Sequence, residues 1–262
     1  MTRIITFASG KGGTGKTTVV ANLGTAMAQL GKKVTILDAD VTMANLGLMF
    51  GLEDQEVTLH DVLAGEASVD QATYNGPAGV KVVPSSISLE GVRRTKLEGL
   101  RKAVSELAKR TGILLIDSPA GLDRDAITAL TMGREVILVV TPDIASLSDA
   151  LKTKIISENL GVKPIGIVVT RATDERVDLP KEKIESVLDL PVLAVIPEDL
   201  EVGRSAAFRK PVVIYEPKSP AAQAFMKLAA DLLGRRRRVK PKKAGVEKFT
   251  LWPYVERKRK SS

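Results

Sequence analysis

The chain has 262 residues, with 39 Lys/Arg against 31 Asp/Glu, one histidine and no cysteine. That length can bury a sizeable core, while the composition excludes disulfides, thiol catalysis, Fe–S ligation by these side chains and any multi-histidine metal site. The charge is unevenly placed: residues 235–262 hold 12 of the basic residues and 2 of the acidic ones, so the remainder is close to neutral and the basicity belongs to a tail.

Apolar, β-branched runs alternate with helical stretches along the chain. RIITFA (3–8) reads as a strand, not as a charged leader with an apolar segment, so no secretory signal is expected. A helix is predicted from Lys16 to Leu30, stopped by Gly31, and a second strand at 33–38. His60, in TLHDVL, reads as a partly exposed polar residue near a helix start. Strands follow at 80–85, 112–118, 135–141, 164–170 and 191–197, with helices near 95–110, at 147–160 and at 219–234. Ser146 is the expected N-cap of the 147–160 helix, with Asp149 as its capping-box partner. In the last helix the Phe225, Leu228, Leu232 stripe is read as core packing.

The strand runs are nearly continuous in apolar residues, as strands covered on both faces must be. Their alternation with helices predicts an α/β fold: a doubly wound, mostly parallel sheet flanked by helices. No repeat or linker divides residues 1–234, which are expected to form one domain, followed by a basic tail over 235–262. No apolar run reaches the roughly 18–20 residues of a membrane span.

SGKGGTGKTT (9–18) satisfies G-x-x-x-x-G-K-[ST] through Gly10, Gly15, Lys16 and Thr17, between a predicted strand and a predicted helix. Glycines let backbone N–H groups turn toward a phosphate chain without a Cβ in the way. The helix beginning near Lys16 aims its positive end at the same anion. Lys11, Gly12, Gly13, Thr14, Gly15, Lys16, Thr17 and Thr18 form the expected cradle, with Lys16 on the β/γ phosphates and the Thr17 hydroxyl on Mg²⁺. Asp38 and Asp40, in VTILDAD, and Asp117, in ILLIDSPAG, sit at the carboxyl ends of predicted strands, where open α/β sheets bind ligands.

The loop carries one lysine more than the pattern requires. KGGTGKT resembles the deviant Walker A motif of the ParA/MinD family of ATPases, whose signature is the early lysine, here Lys11. LDAD (37–40) resembles the first switch of that family and DSPAG (117–121) the second. With VTMANLGLMFGLE (41–53) and IPEDLEV (196–202), the pattern is closer to the MinD branch than to the ParA branch, over essentially all of 1–234.

The resemblance implies a P-loop NTPase fold binding ATP/ADP and Mg²⁺ and forming a homodimer on ATP. Lys11 would cross the dimer interface to the ATP of the partner subunit, and Asp40 would position or activate the attacking water. The catalytic set would be Lys11, Lys16 and Asp40, with Thr17, Asp38 and Asp117 serving the metal. Arg171, with the loop of Pro197 and Asp199, resembles the adenine pocket. Asp40, Asn45 and Gly121 would lie in the moving switch segments. A dry interface gives Lys11 a physical reason to act there, because cations placed in a water-excluded site stabilise the charge of a transferring phosphoryl group.

Members of the MinD branch are peripheral membrane proteins of the cytoplasmic face, bound through an amphipathic C-terminal helix. This tail departs from that pattern, since Pro253 inside FTLWPYV would interrupt a helix. Phe249, Leu251, Trp252 and Tyr254 still form an aromatic and apolar cluster among basic residues, suited to an anionic membrane surface. Each Lys or Arg near such a surface contributes about 1 kcal/mol. The competing reading is DNA, through counterion release and stacking of Trp252 and Tyr254 on bases; a solvated tail is the third. A division regulator or activating protein is the expected protein partner. A metabolic ligase on the same loop would need an added substrate pocket, and no insertion large enough is present in the sequence.

Overall fold

The computed structural model describes residues 2–86, 99–173 and 178–234. Among these residues eight strands form a single sheet in the order β3-β4-β2-β5-β1-β6-β7-β8. They are β1 Arg3–Ala8, β2 Val34–Asp38, β3 Tyr74–Asn75, β4 Lys81–Val83, β5 Ile113–Asp117, β6 Glu135–Val140, β7 Lys163–Ala172 and β8 Val192–Pro197. All neighbouring pairs are parallel except β3 with β4. The seven strands read from the sequence are all present, so the doubly wound parallel sheet stands. The two-residue β3 is too short for a periodic signal.

The helices are α1 Lys16–Gln29, α2 Leu59–Ala64, α3 Leu100–Ala108, α4 Arg124–Leu130, α5 Ile144–Asn159, α6 Lys181–Leu188, α7 Leu200–Ala207, α8 Val212–Tyr215 and α9 Pro220–Gly234. Two layers sandwich the sheet. On one face α1, α8 and α9 pack Val19, Leu23, Val212, Phe225 and Leu228 against Ile5, Phe7, Ile36 and Val168. The other face has two clusters, one under α2, α3 and α4 and one under α5 and α6. Phe225 and Leu228 are fully buried and Leu232 packs at the rim, as the stripe predicts.

α1 approaches the sheet closely because Gly24 faces it: a Cβ there would lie 2.5 Å from Ile36 Cδ1. That contact brings the helix that follows the phosphate loop down onto β2 and β5.

Three expectations need correction or completion. The helix assigned to 147–160 begins at Ile144, and its N-cap is Asp143, whose carboxylate accepts from Ser146 N–H. Ser146 is inside the first turn, and its hydroxyl accepts from Thr141 N–H instead. An aspartate satisfies an orphan N–H of the first turn at least as well as serine, and here it does so three residues earlier. Second, His60 is buried, not partly exposed. Third, α2 is read from the sequence only as a helix start at His60, and the short helices α4, α6, α7 and α8 escape that reading; at four to eight residues they carry too few turns for periodicity to show. The start of the helix read near 95–110 and the whole of 235–262 lie outside the described residues.

Truncating Phe225 to Ala should lower the unfolding free energy by about 3–5 kcal/mol. Urea denaturation followed by far-UV circular dichroism checks this, and a loss under 1 kcal/mol would show that α9 does not anchor this face.

Candidate nucleotide site

Parallel pairing brings the strand ends level. Asp38 stands beside Asp117 in the β2–β5 register, and Phe7 stands beside Asp117 in β1–β5. The loop leaving β1 at Ser9 therefore runs past both aspartates before α1 begins. Gly13 and Gly15 adopt φ of 79° and 76°, which L side chains rarely tolerate. Gly10 is constrained differently: a Cβ there would sit 2.4 Å from Asp149 Cβ, so the loop presses on α5. Thr170 Oγ1 fixes the far side of the loop by donating to Thr14 C=O at 2.6 Å.

α1 has no side-chain N-cap; Gly15 precedes it. Its first N–H groups are thus left for an external acceptor, and the positive end of the dipole faces the loop. Ser9 Oγ and Thr14 Oγ1 are buried in the loop without a hydrogen-bond partner among the described residues. Orphaned hydroxyls and uncapped amides around one concavity are what an oxygen-rich anion would satisfy.

The electrostatic centre is Lys16. Its Nζ donates to Asp117 Oδ1 at 2.7 Å, with the side chains 7% and 1% exposed. Asp38 is wholly buried and accepts from the N–H groups of Asp40 and Leu46. Burial, then the charges of Asp117 and Asp40, push its carboxyl well above the usual range, with Lys16 opposing. This donor set fits a divalent cation: hard oxygens sit where negative charge is held at a cost. Among the described residues no three acidic or imidazole groups are close enough to hold a metal alone. That suits Mg²⁺, which takes one or two carboxylates and completes its shell with waters and phosphate. Thr17, Asp38 and Asp117 are the residues that would hold it.

The two switch-like segments attach to this centre. Asp40 Oδ1 accepts from Met43 N–H, Asn45 donates to Met43 C=O, and Leu46 is held by Asp38. In the second segment Ser118 Oγ donates to Phe7 C=O, and Gly121, at φ 89°, donates its N–H to Ser9 C=O.

Lys11 stands apart from Lys16. Its Nζ pairs with both oxygens of Asp143 at 3.2 Å, and both side chains are partly exposed. Burial works against ionisation of Asp143, but hydrogen bonds from Thr141 Oγ1, Ser146 N–H and Lys11 outweigh it and hold the carboxyl below its usual range. Sequence reading missed Asp143 and Thr170. Asp143 had a usable signal, an acid just past an apolar strand, the same pattern that marked Asp38 and Asp117.

Arg171 and the 197–199 loop end neighbouring strands, with Ala172 beside Pro197 in the register. Arg171 holds a left-handed φ of 52° and lies 3.9 Å from Glu198. Asp199 is occupied otherwise: its carboxylate N-caps α7 by accepting from Glu201 N–H and also accepts from Ala221 N–H. Those bonds outweigh burial and lower its pKa. The side chain thus ties α7 to α9, and only its backbone is left for a base. Phe249, Leu251, Trp252 and Tyr254 lie outside the described residues.

The geometry agrees with what the chain is similar to. Residues 5–212 match the family model of the CobQ/CobB/MinD/ParA nucleotide binding domain. The chain belongs to the MinD/ParA family. An uncharacterised ATP-binding protein of Methanocaldococcus jannaschii is 48% identical over 239 residues, covering 91% of this chain and 90% of that protein. Two Pyrococcus MinD structures superpose with a TM-score of 0.86. The cell division ATPase MinD of P. furiosus is 43% identical, covering 89% of this chain and 99% of that one. The septum site-determining protein MinD of P. horikoshii, complexed with Mg-ADP, is 42% identical, covering 88% and 96%. A MinC:MinD cell division protein complex of Aquifex aeolicus matches at 30% identity and a TM-score of 0.80, covering 91% and 98%. Within the MinD/ParA family the chain is thus of the MinD type.

His60 braces the first switch-like segment. Ser86 N–H donates to Nδ1, so the proton sits on Nε2 and is donated to Val41 C=O. Burial lowers the imidazole pKa from its ordinary value, against the Val41 carbonyl and Asp61. A depressed folded-state pKa means that the unfolded chain takes up the proton first. Stability should therefore be full above about pH 6.5 and decline as the pH falls from there through the folded-state pKa. Urea midpoints at pH 7.5 and 5.5, compared with those of His60→Gln, check this; equal pH slopes in the two proteins would refute it.

Proposed function

We propose that this chain is an ATP- and Mg²⁺-dependent switch of the MinD type, which dimerises on ATP, hydrolyses it to ADP and phosphate, and acts at a membrane surface to position a division-site regulator or another structure. The observation that carries this reading is the division of labour between two lysines: Lys16 is buried against Asp117, while Lys11 waits at the mouth of the same loop on Asp143.

The residues of the loop would bind the β- and γ-phosphates through backbone N–H groups and Lys16, with Asp117 giving up part of its hold on that lysine. Mg²⁺, when bound, would supply positive charge to neutralise the phosphates. Thr17, Asp38 and Asp117 would orient the metal, and Asp40 would hold the attacking water. Lys11 would exchange Asp143 for the phosphates of the partner subunit, and so complete the charge shell only upon assembly. Support for assembly through this end comes from Met43, Ile144 and Leu200, exposed apolar residues at the carboxyl ends of β2, β6 and β8. Arg171 and the backbone of Pro197 and Asp199 would border the base, and Asn45 and Gly121 would move with the switches.

In this reading 1–234 is the ATPase domain and 235–262 the membrane-targeting segment, with Phe249, Leu251, Trp252 and Tyr254 entering the interface and the basic residues holding anionic headgroups. Two weak anchors on one dimer reinforce each other through effective concentration, so dimerisation alone would switch membrane binding. The complex formed by the Aquifex relative supports a regulator of the MinC kind as partner.

Lys16→Ala should abolish nucleotide binding in calorimetry. Because it leaves Asp117 and Asp38 without their cation, it should also cost about 3–5 kcal/mol of stability, so the variant is first shown to be folded; a folded variant with normal affinity refutes the assignment. Lys11→Ala should bind ATP yet lose the ATP-driven shift in elution volume, and an unchanged shift would remove Lys11 from the interface. Deleting 235–262 should leave ATPase activity and end co-sedimentation with anionic liposomes. If DNA binding is lost instead and liposome binding never existed, the ParA-like reading replaces this one.

A further inference from the structure

Among the described residues the sheet is open on its β8 side: β8 ends the strand order and pairs with β7 alone. Beside its open edge lies a groove with walls from both helical layers: Lys181 of α6 on one face, and Ala224, Lys227 and Leu228 of α9 on the other, with Val192 and Val195 along the floor. Val195 is 43% exposed, and the edge N–H of Val192 is capped by the Glu185 carboxylate. An open edge strand between two helices lacks a neighbour that is apolar on both faces.

We infer that the occupant is this chain's own 249–255 segment, which adds to β8 as a ninth strand and keeps the tail's apolar residues from solvent when they are not engaged elsewhere. FTLWPYV places Phe249, Leu251, Pro253 and Val255 on one face of an extended strand and Thr250, Trp252 and Tyr254 on the other. Both faces are thus apolar or amphipathic, and six of the seven residues are β-branched or aromatic, or are Leu. Pro253, which argues against an amphipathic helix, falls opposite Leu193, where the β7–β8 register shifts, and such irregularities of edge strands tolerate proline. The tail's two acidic residues, Glu247 and Glu256, bracket the apolar run, and the groove is flanked by Lys181 and Lys227.

Chain geometry sets the direction. α9 begins at the carboxyl ends of the strands, where Ala221 bonds Asp199, and ends at their amino ends, where Leu232 C=O accepts from Arg3. The β1-α1-β2 crossover moves one way along the sheet with its helix on one face, and β6-α5-β7 moves the other way with its helix on the opposite face. A parallel ninth strand reached through α9 would move with β7 and β8 but carry its helix on the α1 face, which is a left-handed crossover and strongly disfavoured. The added strand must therefore be antiparallel, and the chain must first climb back past β8. Six residues of β8 rise about 20 Å. The 12 residues 235–246 reach about 40 Å when extended, enough for the climb and the turn. Phe249 then lies near Pro197, Leu251 near Val195 and Tyr254 near Val192.

The docking stands by itself; only its competition with lipid rests on the membrane reading. Trp252 is the sole tryptophan and the chain has no cysteine, so both probes are clean. In the lipid-free full-length protein, Trp252 emission should be blue-shifted and quenched by acrylamide several-fold less than in the urea-unfolded chain. Val195→Glu, an exposed edge substitution, should raise quenching to the unfolded level. Equal quenching in the folded and unfolded wild type, or in the wild type and a folded Val195→Glu, overturns the docking. Val195→Cys paired with Leu251→Cys should oxidise to a disulfide within one chain; a product of dimer mass would make a second copy the occupant and also overturn it. On anionic vesicles Val195→Glu should bind several-fold more tightly than wild type. Equal binding overturns the competition, and no binding by either protein strikes the membrane reading while leaving the docking untouched.

Discussion

A buried ammonium holds the functional end of this molecule together. Lys16 is placed by the first turn of α1 between two strand ends that each carry an aspartate, and parallel pairing lets neither aspartate retreat. Without that cation, Asp38 and Asp117 would be like charges side by side in a medium that screens them poorly. The ion pair is not itself a large source of stability, because desolvation of both partners opposes their attraction. What it does is make the fold and the site interdependent: the sheet brings the carboxylates together, and the loop lysine makes that juxtaposition tolerable.

Around this centre the structure is tightly specified. Gly10 lets the loop touch α5, Thr170 anchors it to β7, and Gly121 hangs the second switch-like segment from Ser9. Each contact couples the loop to a different element, so a ligand that shifts the loop would be felt across the carboxyl edge of the sheet. Lys11 sits outside this network, on a solvent-accessible partner. An exposed ion pair is worth little and is readily exchanged. A lysine that must change partners is better kept this way than buried.

Legibility in the sequence followed the range of the interaction. The seven longer strands announced themselves as continuous apolar runs, and the phosphate loop through fixed spacing and residue type, because both depend on local conformation. Asp38 and Asp117 could be placed at strand ends for the same reason. The short helices could not, since their apolar residues are fixed by which sheet face lies beneath them. Ser146 was a reasonable N-cap by local rules; Asp143 took the position because it satisfies the helix end and faces Lys11 at once. His60 looked like a surface residue from its neighbours, and only the return of the chain past Val41 and Ser86 buries it.

The sequence by itself determined the class of the molecule: a parallel α/β sheet, a phosphate loop with two lysines, acids at strand ends, and a basic tail segregated from a near-neutral body. Those are properties of composition, order and short-range stereochemistry. Tertiary structure alone decided which groups meet. It set Lys16 on Asp117 and Lys11 on Asp143, committed the Asp199 carboxylate to two helix ends, and, among the described residues, left β8 as an open edge between α6 and α9. Each of these pairings joins residues from separate elements, and only the closing of the sheet fixes the distances between them.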